Sequence, residues 1–302
     1  MMRNDLIKLI FNKAKKNKNL ILLTGDLGYS LFDEFAKKLP NQFFNVGVSE
    51  QNMIAVAAGL AKEKKKVFIY SIGNFPSLRC LEFIRNNLCY HNLDVTIISC
   101  GSGYEYGQLG FSHHATEVIS VMRSIPNISI FNPATFKELR QINKKIFSNN
   151  TKFLIVNKNY AKEITNFYTF PINKMIKGKI LICTTGSILE EAMKASVLLN
   201  NKNYKTEILS FPSIKPLIFN RQLISILKKF NYIFSLEENN INGGFGELFL
   251  NLINKNNLKV NFEIIGIKDE FIKIVGDKKF LRKKAKIDSK SVFNFIEKKI
   301  KL

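Results

Sequence analysis

The sequence predicts an α/β protein made of two successive three-layer domains, each with a mainly parallel sheet. Three observations predict it. Short apolar strands alternate with helical stretches along the whole chain, the pattern of β-α-β units. A polar, irregular segment carrying Pro171 breaks that alternation over residues 158–177. The 302 residues, 46% of them hydrophobic, are enough for about two cores. The expected division is a first domain over residues 1–165, a linker over 166–177 and a second domain over 178–302.

Asn4 or Asp5 is positioned to cap an opening amphipathic helix carrying Leu6, Ile7, Ile10 and Ala14. A strand follows from Leu20 to Thr24 and ends in Gly25-Asp26-Leu27-Gly28, before a helix over 31–39 and a strand over 43–46. Next comes Gly47-Val48-Ser49-Glu50-Gln51-Asn52-Met53, with Ser49 as a helix N-cap. The residues beyond it, 54–61, are small and apolar on every face, which predicts a buried helix with Glu50 in its first turn. Strands over 67–70 and 95–98 flank a helix over 77–90, and a glycine-bearing surface loop occupies 101–112. Helix and strand then alternate through 128–131 and 136–146 to a strand at 153–156.

The second unit opens with a strand, Ile180-Leu181-Ile182-Cys183, and Thr184-Thr185-Gly186-Ser187 turns into a helix. A strand at 206–209, a helix ending near 229 and a strand at 232–236 precede Glu237-Glu238 and Gly243-Gly244-Phe245-Gly246. A strand near 260–264 and a basic helix close the unit. Asp26, Glu50, Tyr70 and residues 101–114 all follow strand ends, where sheets of this kind gather their ligands.

The formal net charge of +22 invites a nucleic-acid reading, but the lysines are scattered in short groups. No aromatic RNA-binding motif, zinc spacing or basic heptad helix accompanies them, so nucleic acid is not the expected partner. Cys80, Cys89, Cys100 and Cys183 lie far apart in apolar runs and form no CxxC pair. They read as buried, reduced thiols of a cytoplasmic protein. No run of about 18 apolar residues exists, so no membrane span is expected.

Glycines 101, 103, 107 and 110 are not a dinucleotide fingerprint, because the third glycine of GxGxxG would fall at Tyr106. Adjacent His113 and His114 cannot both face one metal from a helix, and no acid or thiol completes a ligand set. Glu50 has two readings: a carboxylate favoured by the helix dipole, or an acid awaiting a partner. His113 is likewise either structural or, at the end of a glycine loop, functional.

Taken together, Gly47-Val48-Ser49-Glu50-Gln51-Asn52-Met53, Tyr70 and Gly110-Phe111-Ser112-His113-His114 resemble transketolase. So do Arg123-Ser124-Ile125-Pro126-Asn127 and, in the second unit, Thr184-Thr185-Gly186-Ser187 and Glu237-Glu238 with Gly243-Gly244-Phe245-Gly246. The match is to the family's pyrimidine-binding and C-terminal domains. Its diphosphate-binding domain, with a GDG…N motif, has no counterpart, since Gly25-Asp26-Leu27 departs from it. The chain therefore resembles the C-terminal subunit of a split transketolase.

That resemblance implies thiamine diphosphate as cofactor, with Mg²⁺ held by a partner N-terminal subunit in an α2β2 heterotetramer, and sugar-phosphate substrates. It implies that Glu50 bonds N1′ of the aminopyrimidine and favours the imino tautomer, whose exocyclic nitrogen takes the C2 proton. The apolar helix behind Glu50 would supply the desolvation a proton-sharing carboxyl needs. Tyr70 would stack on the aminopyrimidine or pack in the core, and Asp26 would lie near the thiazolium. His113 would bond donor hydroxyls, while Ser30 would contact a substrate phosphate or cap a helix. Lys158 stands where the family carries a phosphate-binding arginine and offers a point charge without the bidentate fork. Leu109 replaces an acid four places before the histidine, which points away from standard pentose phosphates and towards a specialised sugar pathway. The alternatives are a 2-oxoacid dehydrogenase β-subunit and a non-catalytic scaffold or regulatory subunit with a basic surface.

Overall fold

The computed structural model describes residues 1–172 and 175–301. The first half contains α1 (Met2–Ala14), β1 (Leu20–Thr24), α2 (Asp33–Lys38), β2 (Phe43–Asn45), α3 (Glu50–Lys62) and β3 (Lys66–Ile72). It continues through α4 (Leu81–Phe83, prolonged by a π-helical stretch over Ile84–Cys89), β4 (Val95–Cys100), α5 (Val118–Ser124), β5 (Ile128–Phe131), α6 (Phe136–Ile146) and β6 (Thr151–Val156). The rest contributes β7 (Tyr168–Thr169), β8 (Ile180–Thr184), α7 (Leu189–Asn200), β9 (Thr206–Ser210) and β10 (Ser213–Lys215). The last elements are α8 (Arg221–Leu227), β11 (Tyr232–Asn240), α9 (Phe245–Lys255), β12 (Asn261–Ile267), α10 (Lys278–Lys284) and α11 (Ser289–Lys301).

The first sheet runs β10-β5-β6-β4-β3-β1-β2, parallel throughout except for β10 against β5. The second runs β12-β11-β8-β9-β7 and is wholly parallel. Successive strand side chains point to opposite faces, so each sheet separates two cores. On one face of the first sheet, Val67, Ile69, Ile97 and Phe153 meet Met53, Ile54 and Ala57 of α3 and Met122 of α5. On the other, Phe68, Tyr70, Ile98 and Leu154 meet Leu6 and Ile10 of α1, Phe35 of α2 and Leu139 of α6. The second sheet is covered by α7, α10 and α11 on one face and by α8 and α9 on the other. Two three-layer α/β units with mainly parallel sheets are therefore present.

The units interlock. Strand β10, from the second half, closes the β5 edge of the first sheet, and Lys215 Nζ reaches back to the carbonyls of Arg123 (2.9 Å) and Ile125. Arg123 donates to the carbonyls of Gly243 and Gly244, and the Asn240 amide donates to the Thr116 carbonyl at 2.6 Å.

Several local expectations change. The segment expected as a linker carries β7, which pairs with β9, and buries Phe170, Ile172 and Ile176; its residues 173–174 lie outside the described ones. Helix α3 is not buried all round: Gln51, Asn52, Val56 and Gly59 form an exposed stripe, because the sheet covers only the opposite face. Ser49 is the residue before α3 but makes no side-chain capping bond, and α1 starts at Met2, ahead of the expected cap. Strand β11 runs on to Asn240, so Glu237 and Glu238 lie inside it. Residues 101–110 are no free surface loop either, since Gly101, Gly103, Tyr104 and Gly107 are buried. All four cysteines are buried and unpaired. No described helix is long and apolar enough to cross a membrane.

Glu237 is fully enclosed and accepts bonds from the amides of Phe245 (2.7 Å) and Gly246 (2.8 Å) at the start of α9. Burial pushes its carboxyl up to about 8, against the pull of those amides and of Arg123. Between the ordinary value of 4.5 and about 8, the folded protein thus holds a proton that the unfolded chain has released. Stability from this group is complete below that window and is lost as pH rises through it. Glu237→Gln is expected to flatten the decline in thermal midpoint between pH 5 and pH 8; an unchanged slope would contradict this assignment.

Candidate active site

The site lies where the carboxyl ends of β1 and β3 diverge, since the chain passes from β1 outward to β2 and then returns to β3 on the other side. Such a reversal opens a crevice in a parallel sheet. Helix α3 makes that return, and its first residue, Glu50, is 2% exposed. Strand alternation decides what faces it: Ile69 and Ser71 share the α3 side, and Ser71 Oγ lies 3.5 Å from Glu50 Oε1.

A buried carboxylate needs a counter-charge or several donors. Arg79 provides the charge, with Nη1 2.7 Å from Glu50 Oε2. Its guanidinium lies 4.6 Å from the centroid of Phe75, and its backbone carbonyl accepts from Gln51 Nε2 at 3.0 Å. Adjacent residues of α3 thus hold Arg79 by its head and by its backbone. Phe75 in turn packs edge to face on His113, with centroids 5.1 Å apart. Ser112 Oγ lies 3.1 Å from His113 Nδ1, and Asn74 Nδ2 donates to the Ser112 carbonyl at 2.9 Å. Glu50, Arg79, Phe75 and His113 form one continuous chain of contacts across the carboxyl edge of the sheet.

The two histidines diverge. His114 turns inward onto Tyr104, with centroids 5.1 Å apart, and burial holds its imidazole below the usual range.

Asp26 is exposed at the end of β1, where its amide donates to Asn45 Oδ1 (2.8 Å) and its carboxylate accepts from Asn45 Nδ2 (3.0 Å). The same Asn45 oxygen accepts from the Gly47 amide at 3.1 Å, which fixes the Asp26 turn to the chain entering α3. Ser30 lies elsewhere, in a surface cleft between α1 and α2 lined also by Asn4, Lys8 and Glu34. It caps no helix, because Phe32 precedes α2. Lys158 sits just beyond β6, its ammonium 4.2 Å from the centroid of Tyr106. Leu109 is exposed at the outer rim of the His113 loop.

Tyr70 needs correcting. It has the parity of Phe68, so it points away from α3 into the opposite core, 2% exposed and edge-on to Phe32 at 5.1 Å. Its role is core packing, and the aromatic ring on the Glu50 side is Phe75. The residues that sequence reasoning missed are Phe75, Arg79 and Asn45. Phe75 carried a usable signal, an aromatic in the loop straight after a strand. The pairing of Arg79 with an acid 29 positions earlier carried none.

Arg79→Met would leave Glu50 buried without its cation. A wholly buried pair loses about 3–5 kcal/mol on such truncation, and the 47% exposure of the Arg79 side chain brings the expected loss to roughly 1–3 kcal/mol. Urea unfolding would measure it, with Arg79→Lys recovering part; equal stability of all three proteins would refute the pairing.

Residues 3–161 match the transketolase pyrimidine-binding domain and residues 173–292 the transketolase C-terminal domain. The chain is 31% identical over 296 residues to an apulose-4-phosphate transketolase subunit of Actinobacillus succinogenes, spanning 96% of this chain and 95% of that one. It is 26% identical over 298 residues to a 6-deoxy-6-sulfo-D-fructose transketolase subunit of a Clostridium species, with 96% and 92% covered. A split-gene transketolase solved as an inactive β4 tetramer superposes with a TM-score of 0.83 at 25% identity, covering 99% of this chain and 98% of that one. Domain order and coverage agree, and the chain belongs to the transketolase family.

Proposed function

We propose that the chain is the pyrimidine-binding subunit of a split transketolase, transferring a two-carbon ketol unit between sugar phosphates or related sugars with thiamine diphosphate and a partner N-terminal subunit. The observation that carries this reading is the state of Glu50. Its Oε2 is held by Arg79, while among the described residues Oε1 is met at 3.5 Å by the Ser71 hydroxyl alone and keeps a further lone pair to accept with. A buried carboxylate with one oxygen pinned and one open, beside the half-buried ring of Phe75, fits an aminopyrimidine that presents a ring nitrogen and a flat face.

When bound, thiamine diphosphate supplies the nucleophilic carbon and the electron sink for the transfer. Glu50 Oε1 would meet the cofactor's ring nitrogen and share its proton, a role that would make Glu50 a catalytic residue. Phe75 takes the stacking role that Tyr70 cannot. Asp26 lines the crevice end tied to Gly47. His113 offers its ring nitrogen to donor hydroxyls, with the orientation fixed by Phe75 and Ser112. Lys158 attracts the anionic end of the sugar, and Ser30 is a more distant candidate for the same end.

Among the described residues, no three acidic, histidine or cysteine side chains are grouped to hold a metal. We assign the Mg²⁺ and diphosphate cradle, with its GDG…N motif, to the partner subunit in an α2β2 assembly. Two features support a partner: the exposed stripe of Asn52, Val56 and Gly59 on α3, and the exposure of Tyr29 and Val48 beside the crevice. Leu109 at the rim, with relatives acting on apulose 4-phosphate and a sulfosugar, supports a donor other than a common pentose phosphate. Buried free thiols fit a cytoplasmic setting.

The test is reconstitution with the partner subunit and assay of ketose phosphates against pyruvate. Two-carbon transfer from a ketose is expected; decarboxylation of pyruvate alone would overturn the reading. In the active complex, Glu50→Gln is expected to lower kcat by about 10²–10⁴-fold, and turnover within twofold of wild type would remove Glu50 from the chemistry. Calorimetry should show tight thiamine-diphosphate binding only when both subunits are present.

A further inference from the structure

The loop over residues 101–117 carries His113 and has four glycines in its first ten positions; tight turns over 107–109 and 111–113 and a Gly103–Ala115 bridge give it local shape but do not by themselves fix where it lies. First-domain groups hold part of it: Asn157 Oδ1 accepts from the Ser102 amide at 3.2 Å, and Asn74 Nδ2 donates to the Ser112 carbonyl at 2.9 Å. The second domain supplies a further set of contacts. Gly103 has φ +53°, and a Cβ there would collide with the Glu238 side chain. Tyr104 donates its amide to Glu238 Oε1 at 3.4 Å. Glu105 pairs with Lys278, and the Gly107 carbonyl accepts from the Gly276 amide at 3.4 Å. At the far end, the Thr116 carbonyl accepts from the Asn240 amide at 2.6 Å.

Glu238 is itself fixed. Arg282 grips it through two bonds, Nε to Oε1 at 2.9 Å and Nη2 to Oε2 at 2.6 Å, and Ser187 Oγ adds a third at 3.2 Å. The pair is buried on both sides, and Arg282 also meets Glu191 at 3.5 Å. A forked guanidinium on a carboxylate fixes direction as well as charge. Helix α10 thus sets Glu238, and Glu238 sets the backbone at Gly103 and Tyr104. His114, on Tyr104, passes that placement to its neighbour His113.

We propose that Arg282 and Glu238, with Lys278, are positioning residues that hold the His113 loop in its donor-binding shape. The second domain then contributes to substrate affinity without touching the substrate. The inference rests on the transketolase reading for His113, and its test is arranged so that the two can fail separately.

The experiment compares Arg282→Lys, Glu238→Gln and Lys278→Met with wild type, and with Phe249→Leu as a second-domain core control remote from the loop. Lys278→Met removes only a partly exposed partner, so it stays folded if the buried pair does not tolerate change. Hydrogen exchange on the folded chain is expected to show residues 101–117 exchanging at least about tenfold faster in the three variants, with 50–62 unchanged; Phe249→Leu should leave both alone. In the reconstituted complex, donor KM should rise about tenfold in the three variants while thiamine-diphosphate affinity holds. Unchanged loop protection, an unchanged donor KM, or a parallel loss of cofactor affinity would each overturn the inference. A wild-type complex that transferred no ketol unit would sink the transferase reading instead, and exchange alone would then decide whether the loop is held from the second domain.

Discussion

A strand shows a given face of its sheet only at every second residue, and β3 uses that limit to divide the first domain in two. Val67, Ile69 and Ser71 serve the side roofed by α3, while Phe68 and Tyr70 serve the side closed by α1 and α2. A shift of one residue in β3 would exchange the faces and place a phenol against Glu50. The parallel pairing of β3 with β1 and β4, over five and six residues, prevents it. The position of the crevice, the pocket for Glu50 and the removal of Tyr70 from the site all follow from that register.

Within this frame, buried acids are handled in distinct ways. Glu50 has one strong partner and one open oxygen, an arrangement suited to meeting something further. Glu238 is saturated by Arg282, Ser187 and a backbone amide, and against the upward push of complete burial the Arg282 charge and its hydrogen bonds hold the carboxyl below the usual range. Glu138 is enclosed with an amide and hydroxyls but without a cation, and burial pushes it up. Burial is common to all three acids, so burial alone would not have singled out Glu50; incomplete satisfaction does.

Much of this was legible in the sequence. Strand and helix order, the division into two α/β units and the place of Glu50 at the head of a helix follow from periodicity and turn residues. The resemblance then supplied His113 and its loop. What stayed hidden was set by three-dimensional parity and long-range pairing. Tyr70 and Ser71 are one residue apart and equally compatible with a strand end, and only the stacking of α3 tells their faces apart. Arg79 looks like any loop arginine until its partner is known. The glycine loop looked free because its clamps lie about 130–170 residues downstream, at Glu238 and Lys278. The stripe on α3 misled in the opposite sense: apolar residues on every face implied enclosure, and the chain alone encloses only part of them.

Strand β10 is only three residues long, yet it covers the one side of β5 that β6 leaves bare. Uncovered strand edges recruit other strands, and proteins protect them for that reason. Here the protection comes from a segment more than eighty residues downstream of β5, beyond β8, α7 and β9. Severing the chain between its halves would therefore do more than separate two lobes. It would unseal the first sheet and create an adhesive rim on an otherwise finished domain. A ribosome releasing this protein faces the same situation for a time, with β5 made and its cover still unsynthesised. Cotranslational protection of that rim, by the emerging chain or by a chaperone, becomes a requirement written into the order of the strands.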